Sequence, residues 1–431
     1  MADELAAEQM TPSSPEMIRV HANGSVSYTH VPRIGRERRP HTYYSFTGVV
    51  RYEDSKADHG DLRYVMAQQM SLRKAIKKFD SAAREAMIDE IDGILKRGVW
   101  TGVLKSNLTE KQRRMILRSS AFLKAKYDLV GNFLKLKARL VADGRGEDRS
   151  LFAESDIASP TVSISSLFTI ASVTAAKGYR VITMDIGQAY LNADMQQDVY
   201  IKLEPLISDI LIERDSSFSK YLDQKGEILV KLNKALYGCV ESAKLWYNTI
   251  SGKFISMGYV VNPYDPCVFR KCTEAGECIV CLYVDDIFSA SSSDSLLEEL
   301  VSELTAEYKQ LTVNRGRRHE YLGMVFQFSE SGTVEVTMKQ YTQAILEECG
   351  ISTSSNEPAA NNLFILDSTS PLLVPKDSET FHRNVAQLLY MATRTRPDIL
   401  LPIIFLSTRV RNPTEEDRRK LQKVMRYSTS M

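Results

Sequence analysis

Between Ser71 and Arg97 the apolar positions fall at Ala75, Phe79, Ala83, Met87, Ile91 and Leu95. That four-residue stride predicts one amphipathic helix, with Gly98 as its stop. A further helix is predicted from near Thr109, with Glu110 in its first turn. Ser159 and Pro160 read as N-cap and first position of a helix that reaches about Lys177 and ends at Gly178. Tyr179 to Asp185 reads as a strand with an acid at its end. Residues 206–227 are polar and irregular, which predicts an insertion loop. Ile228 to Leu232 reads as a short strand, and Ser242 to Met257 as a helix ended by Gly258. The apolar runs Cys278–Val284 and Ile287–Ala290 flank Asp285-Asp286, which predicts strand, turn, strand. Ser293 to Lys309 is again helical in pattern. Glu320–Phe328 and Thr333–Met338 predict a hairpin around Glu330-Ser331-Gly332, and the rest reads as helical with a polar loop near 351–378. There is no internal repeat. Helices alternating with few, mostly antiparallel strands predict an α+β layer structure rather than a doubly wound sheet.

Residues 1 to about 70 carry weak periodicity and read as a poorly ordered leader. Its basic run Arg33-Ile-Gly-Arg36-Glu-Arg38-Arg39-Pro40 fits a solvated linker better than a nucleic-acid contact. The 431 residues suffice for two or three domains. With 43% hydrophobic and 25% charged residues, a largely disordered or collagen-like chain is excluded. Net charge is +1, yet Lys111 to Arg149 holds eleven cations against Asp128, Asp143, Glu147 and Asp148. A solvated face and a nucleic-acid surface both fit that excess. Six cysteines are too few for a disulfide scaffold and fit a reducing compartment. Cys267, Cys272, Cys278 and Cys281 read as small hydrophobes rather than zinc ligands. The longest apolar run, Leu400–Leu406, is far short of a membrane span, and Met1-Ala-Asp-Glu-Leu5 begins no visible secretory signal. No phosphate-binding loop or dinucleotide fingerprint is present.

Two acidic sites stand out because each ends an apolar strand. One is Asp185, after Val181-Ile-Thr-Met184; the other is Asp285-Asp286. Adjacent acids at a tight turn repel, which raises the pair's upper pKa. A divalent cation offsets that repulsion, and hard oxygen ligands from two strands suit Mg²⁺ with substrate phosphates completing its shell. Two such ions can activate a 3′-hydroxyl and stabilise leaving pyrophosphate. Asp-Asp is also a common turn pair, so the dipeptide alone does not decide.

The neighbouring residues do. Asp185-Ile-Gly-Gln-Ala-Tyr190-Leu-Asn192 and Tyr283-Val-Asp285-Asp286 resemble the two catalytic motifs of reverse transcriptases. Lys137-Ala-Arg139-Leu-Val141, Val199-Tyr200-Ile-Lys202, Ala235-Leu-Tyr237-Gly238 with Ser242 and Trp246-Tyr247, and Asp265-Pro-Cys-Val-Phe269 resemble segments of copia-type retrotransposon polyproteins. Tyr321-Leu-Gly323-Met324 resembles their primer-grip hairpin. Arg396-Pro-Asp398-Ile399 and Val424-Met-Arg426-Tyr427 resemble the segment before ribonuclease H. The likeness covers about residues 70 to 430.

The resemblance implies a right-hand polymerase fold, with fingers and palm over 71–330 and a thumb- or connection-like helical region over 331–431. It implies RNA-directed DNA polymerase activity on an RNA template with a DNA or RNA primer and dNTPs, using two Mg²⁺ ions (Mn²⁺ as a substitute). The setting it implies is intracellular, in cytoplasm or nucleus, without a membrane. Asp185 and Asp285 would ligate both ions, with Asp286 auxiliary. Tyr190 would lie under the sugar and exclude a 2′-hydroxyl. Lys137 and Arg139, two apart on a strand, would clamp the triphosphate, with Lys135 as the alternative cation. Gly238 would allow close backbone approach to nucleotide or template. Tyr283, Tyr321, Leu322 and Gly323 would meet primer or template. Trp246 reads as core. The basic stretch 111–149 would flank the duplex, and Arg409, Arg411, Arg418, Arg419, Lys420, Lys423 and Arg426 would add contacts or form a plain charged helix. One departure is Cys239-Val-Glu241-Ser-Ala243, where the group carries leucine–lysine–glutamine–serine–proline; an acid there would lie beside the nucleotide pocket. That departure, with no ribonuclease H domain after Tyr427, leaves a non-catalytic nucleic-acid-binding remnant as the alternative. A nucleotidyl cyclase on a palm fold is a more distant one.

Overall fold

The computed structural model describes residues 18–20, 26–28, 70–127 and 133–429. The leader's basic run therefore lies outside the described residues. Ile18–Val20 and Val26–Tyr28 pair as an antiparallel ribbon, in the first of the two units, residues 1–58 and 59–431, into which the chain divides.

The four-residue stride after Ser71 folds as two helices, Leu72–Phe79 and Ser81–Lys96. The break falls at Asp80, whose φ of 42° no helix accommodates. The second helix buries Ala83, Met87, Ile91 and Ile94 against one six-stranded sheet. That sheet holds the long hairpin Leu117–Tyr127 with Phe133–Ala142, and the strands Trp100–Gly102, Tyr200–Leu203 and Ile228–Leu232. Its one parallel pairing, Leu117 with Ile201, is short. The segment 206–227 is not a plain loop. Pro205 at the first helical position starts a helix to Arg214, which buries Ile207, Ile210 and Leu211.

The second six-stranded sheet is antiparallel throughout. Its order runs Val260–Val261, Val268–Thr273, Gly276–Tyr283, Asp286–Ser291, Arg180–Ile186, Leu311–Gly316. The helices Ile164–Lys177, Ser242–Ser256 and Asp294–Tyr308 contribute to one core with it. Ser163, not Ser159, caps the first of these: its hydroxyl accepts the Ser166 N–H at 3.1 Å. Ser159-Pro160 stays outside because Pro favours extended backbone before it. The run 320–328 is also not one strand. Leu322 and Gly323, with φ of 51° and 73°, turn Arg318–Tyr321 back onto Met324–Phe328, and Val334–Thr337 completes a three-stranded sheet. Helices Pro375–Ala392, Leu400–Ser407 and Glu415–Tyr427 build a third core around Leu388, Ile403 and Val424. The content is mixed helix and sheet, as the α+β reading expects. Among the described residues no helix is long and apolar enough to cross a membrane.

Candidate active site

The strand Arg180–Ile186 explains where its acid stands. Val181, Ile182, Met184 and Ile186 are buried, while Asp185, near the strand's end, is exposed. A carboxylate in mid-strand would be desolvated without a partner; at the rim it keeps water. Across the antiparallel ladder Asp185 is paired with Asp286, so both side chains leave the same face. Tyr283 pairs with Asp286, which makes Val284 and Asp285 the two turn residues. Val284 has a φ of 58°. That is the position where this kind of two-residue turn favours glycine, and a β-branched residue there is strained. Two contacts hold the strained turn: the Trp246 indole N–H donates to the Val284 carbonyl at 2.7 Å, and the Ile186 N–H donates to the Asp285 carbonyl at 3.1 Å. Trp246 is core, 1% exposed, and also a strut under the turn.

Burial and neighbouring carboxylates raise the pKa values of Asp285 and Asp286. Asp286 is pushed up to about 7, first by desolvation, then by Asp285 and Asp185. Asp285 is raised by desolvation and Asp185, opposed by Arg139 and Lys137. Of the two candidate lysines, Lys137 is the one whose charge acts on both carboxyls; Lys135 is exposed. Lys137 and Arg139 alternate with buried Leu136, Ala138 and Leu140, so they share the outer face of their strand.

Arg139 lies over the Tyr237 ring at 4.3 Å, and the Tyr237 and Tyr190 rings stand 4.6 Å apart. Desolvation lifts the Tyr190 phenol to about 12, which keeps it neutral. Arg139 Nη1 and the Tyr237 hydroxyl are buried with no hydrogen-bond partner among the described residues. Both atoms can donate, and such orphans in a native site call for an external acceptor.

Two expectations need correction. Tyr321 is 3% exposed, so its side chain is not presented to a primer. Its hydroxyl donates to the Cys281 and Asp286 carbonyls at 3.2 and 3.3 Å, which ties the Arg318–Phe328 hairpin to the aspartate strands. The close approach at Gly238 is to this chain itself: with φ 95°, an added Cβ would lie 2.1 Å from the Ala142 carbonyl oxygen. The departing acid Glu241 is buried. It is 4% exposed and its carboxylate accepts the Gln197 N–H at 3.3 Å. Leu322 and Gly323 do sit at an accessible turn, where the Leu322 carbonyl accepts the Tyr390 hydroxyl at 2.9 Å. In the C-terminal cations, Arg409, Arg418, Lys420 and Lys423 are ion-paired with Asp417, Asp377, Glu416 and Glu357, which favours the plain charged helix.

Pattern reading missed Glu90. It lies on the buried helix face with Met87 and Ile94 and is 4% exposed. A charged residue at an apolar-face position was the available signal.

The donor set tests for a metal. Asp185, Asp285 and Asp286 are hard oxygen donors whose repulsion a cation would relieve. Among the described residues no three acidic, His or Cys side chains form a group able to hold an ion. Hard oxygen donors are the ligand type that Mg²⁺ takes.

Comparison with known proteins shows the family. The profile described as reverse transcriptase (RNA-dependent DNA polymerase) matches residues 103–360, more than half of the chain. The chain belongs to that family. It is similar to the retrovirus-related Pol polyprotein from transposon TNT 1-94 of Nicotiana tabacum, 25% identical over 351 residues that cover 80% of this chain and 25% of that protein. Its likeness to the Pol polyproteins from transposons RE1 and RE2 of Arabidopsis thaliana is 26% and 24% identity, over 84% and 96% of this chain and 23% and 26% of theirs. The chain thus spans about a quarter of the length of these relatives.

Proposed function

We propose that the chain is the RNA-directed DNA polymerase of a copia-type retrotransposon, joining deoxynucleotides to a primer 3′-hydroxyl on an RNA template. The observation that carries this reading is Asp185 opposite Asp286 on adjacent strands, with Asp285 on the turn and the charges of Lys137 and Arg139 acting on Asp285. On this reading the all-antiparallel sheet is the palm, the sheet of Lys137 the fingers, and 331–431 the thumb or connection, with 1–70 a leader.

Asp185 and Asp285 would hold two Mg²⁺ ions, with Asp286 beside them; bound, the ions supply activation of the 3′-hydroxyl and charge neutralisation at the leaving group. The O–P bond to the α-phosphorus forms as the bond to pyrophosphate breaks, and the 3′-hydroxyl proton passes to water. Lys137 and Arg139 bind the triphosphate as neighbouring cations, Arg139 through donors that include its unpartnered Nη1. Tyr237 offers its unpartnered hydroxyl to the same ligand. Tyr190, a neutral ring, lies under the sugar and leaves no room for a 2′-hydroxyl. Tyr283 and the Leu322–Gly323 turn lie alongside the primer end. Gly238 serves this pocket by letting its loop close on Ala142.

Primer extension on an RNA template with Mg²⁺ and dNTPs tests the reading, run beside an Asp285→Asn/Asp286→Asn double variant. Mg²⁺-dependent extension lost in the variant is the expected result. No extension, with salt-sensitive template-primer binding intact in both proteins, would leave a nucleic-acid-binding remnant instead.

A further inference from the structure

Four side chains that the proposed reaction does not use form one chain of hydrogen bonds behind the pocket. Glu90 Oε1 accepts the Leu140 N–H at 3.2 Å. Among the described residues, strand Phe133–Ala142 pairs only with Leu117–Tyr127, so the Leu140 amide finds its acceptor in this carboxylate. Glu90 Oε2 accepts from Gln188 Nε2 at 2.8 Å, and Gln188 Oε1 accepts from Arg97 Nη1 at 2.7 Å. Arg97 also donates to the Gly93 carbonyl at 3.2 Å and to Asn192 Oδ1 at 3.4 Å. A carboxylate only accepts and a guanidinium only donates, so the amide between them has one orientation.

The two ends of this chain matter. Leu140 follows Arg139 on the cationic strand. Gln188 opens the short turn Ala189–Asn192 that carries Tyr190. Gln188 itself has a φ of 54°, a strained left-handed conformation for a residue other than glycine. Its side chain is gripped at both ends, which is what holds that conformation. An added Cβ at Gly93 would lie 2.4 Å from the Gln188 amide, so helix and turn meet closely here. One buried carboxylate thus ties the strand of Lys137 and Arg139 to the turn of Tyr190.

We propose that Gln188, held between Glu90 and Arg97, is a positioning residue that sets the gap between the cationic strand and the Tyr190 ring, and thereby the discrimination between deoxyribo- and ribonucleotides. The inference rests on the polymerase reading above. A steric filter rejects an added hydroxyl only while its wall is held in place, because a packed wall that can shift loses the clash.

The test uses the full chain and measures kcat/KM for single incorporation of dATP and of ATP on one primer-template. Glu90→Gln leaves too few acceptors for the amides and Arg97. Gln188→Met keeps volume and loses both bonds. In each, the dATP/ATP ratio falls about tenfold, the scale of one lost buried hydrogen bond. The double swap Glu90→Gln/Gln188→Glu restores every link. The amide placed on the helix accepts from the Leu140 N–H and donates to the carboxylate placed on the turn, which accepts from Arg97. It recovers the ratio to within about twofold of wild type. A ratio is insensitive to the fraction of folded enzyme, so general destabilisation does not imitate the effect. Incorporation by wild type with an unchanged ratio in both single variants, or a double swap no better than the singles, overturns the inference alone. Wild type that incorporates neither nucleotide overturns the polymerase reading and this inference with it.

Discussion

The carboxyl of Asp286 is held at a cost that pH can read out. Its pKa moves from the ordinary 3.8 to about 7, through desolvation and the neighbouring Asp285 and Asp185. The folded value exceeds the unfolded one, so the folded state keeps its proton longer as pH rises. Stability from this group is full below 3.8 and is lost as pH climbs through about 7. At about 1.4 kcal/mol per pKa unit, roughly halved for solvent screening of a half-buried group, the loss is about 2 kcal/mol. Asp286→Asn removes the linked proton and keeps the shape. Urea unfolding of metal-free protein, from about pH 4 to about pH 8, should show the variant gaining about 2 kcal/mol on wild type across that window. On the polymerase reading, Mg²⁺ at the alkaline end should then stabilise wild type more than the variant, as a ligand of the folded state does. Parallel pH curves for the two proteins would falsify the account of repulsion among these three acids, whatever the enzyme's activity.

Three further outcomes follow from contacts around the same strands. Gly238→Ala puts a methyl into the Ala142 carbonyl at a positive φ and should lower stability by about 2 kcal/mol or more; a melting temperature equal to wild type would refute the close approach. Trp246→Phe leaves the Val284 carbonyl without its donor, a loss of about 1–3 kcal/mol, and should reduce extension as the strained turn relaxes. A fully active, equally stable variant would show that the turn stands without its strut. Tyr321→Phe gives up two hydrogen bonds to backbone carbonyls and should lower stability by about 1 kcal/mol with template-primer affinity unchanged. A loss of affinity at unchanged stability would return Tyr321 to primer contact.

Much of the site was legible along the chain because its signals are local. Asp185 and Asp285-Asp286 each follow an apolar run, and alternation alone puts an acid at a strand's rim. Lys137 and Arg139 share a face by the two-residue period of a strand. The helices at 164–177, 242–256 and 294–308 follow from their own stride. Misreadings arose where backbone conformation departs from what residue type suggests. Asp80, Leu322 and Gln188 adopt positive φ, a conformation their residue types do not announce, so a helix broke, a strand folded back and a turn tightened. Pro205 opened a helix where polar composition suggested a loop.

Function at distance was invisible for a different reason. The buried face of helix Ser81–Lys96 carries Glu90, and only packing brings it to Leu140 and Gln188, fifty and ninety-eight positions away. Tyr321 was expected at the primer because Tyr321-Leu-Gly323-Met324 resembles a primer-grip hairpin. Burial and the carbonyls of Cys281 and Asp286 turned it into a tie. Residue order is enough to read the chemistry: which carboxylates, cations and rings there are, and near which ends of which elements. Which of them face one another, and what holds them there, follows from packing. Hydrogen-bond partners and desolvation depend on neighbours across the fold, and no periodicity along the chain encodes those.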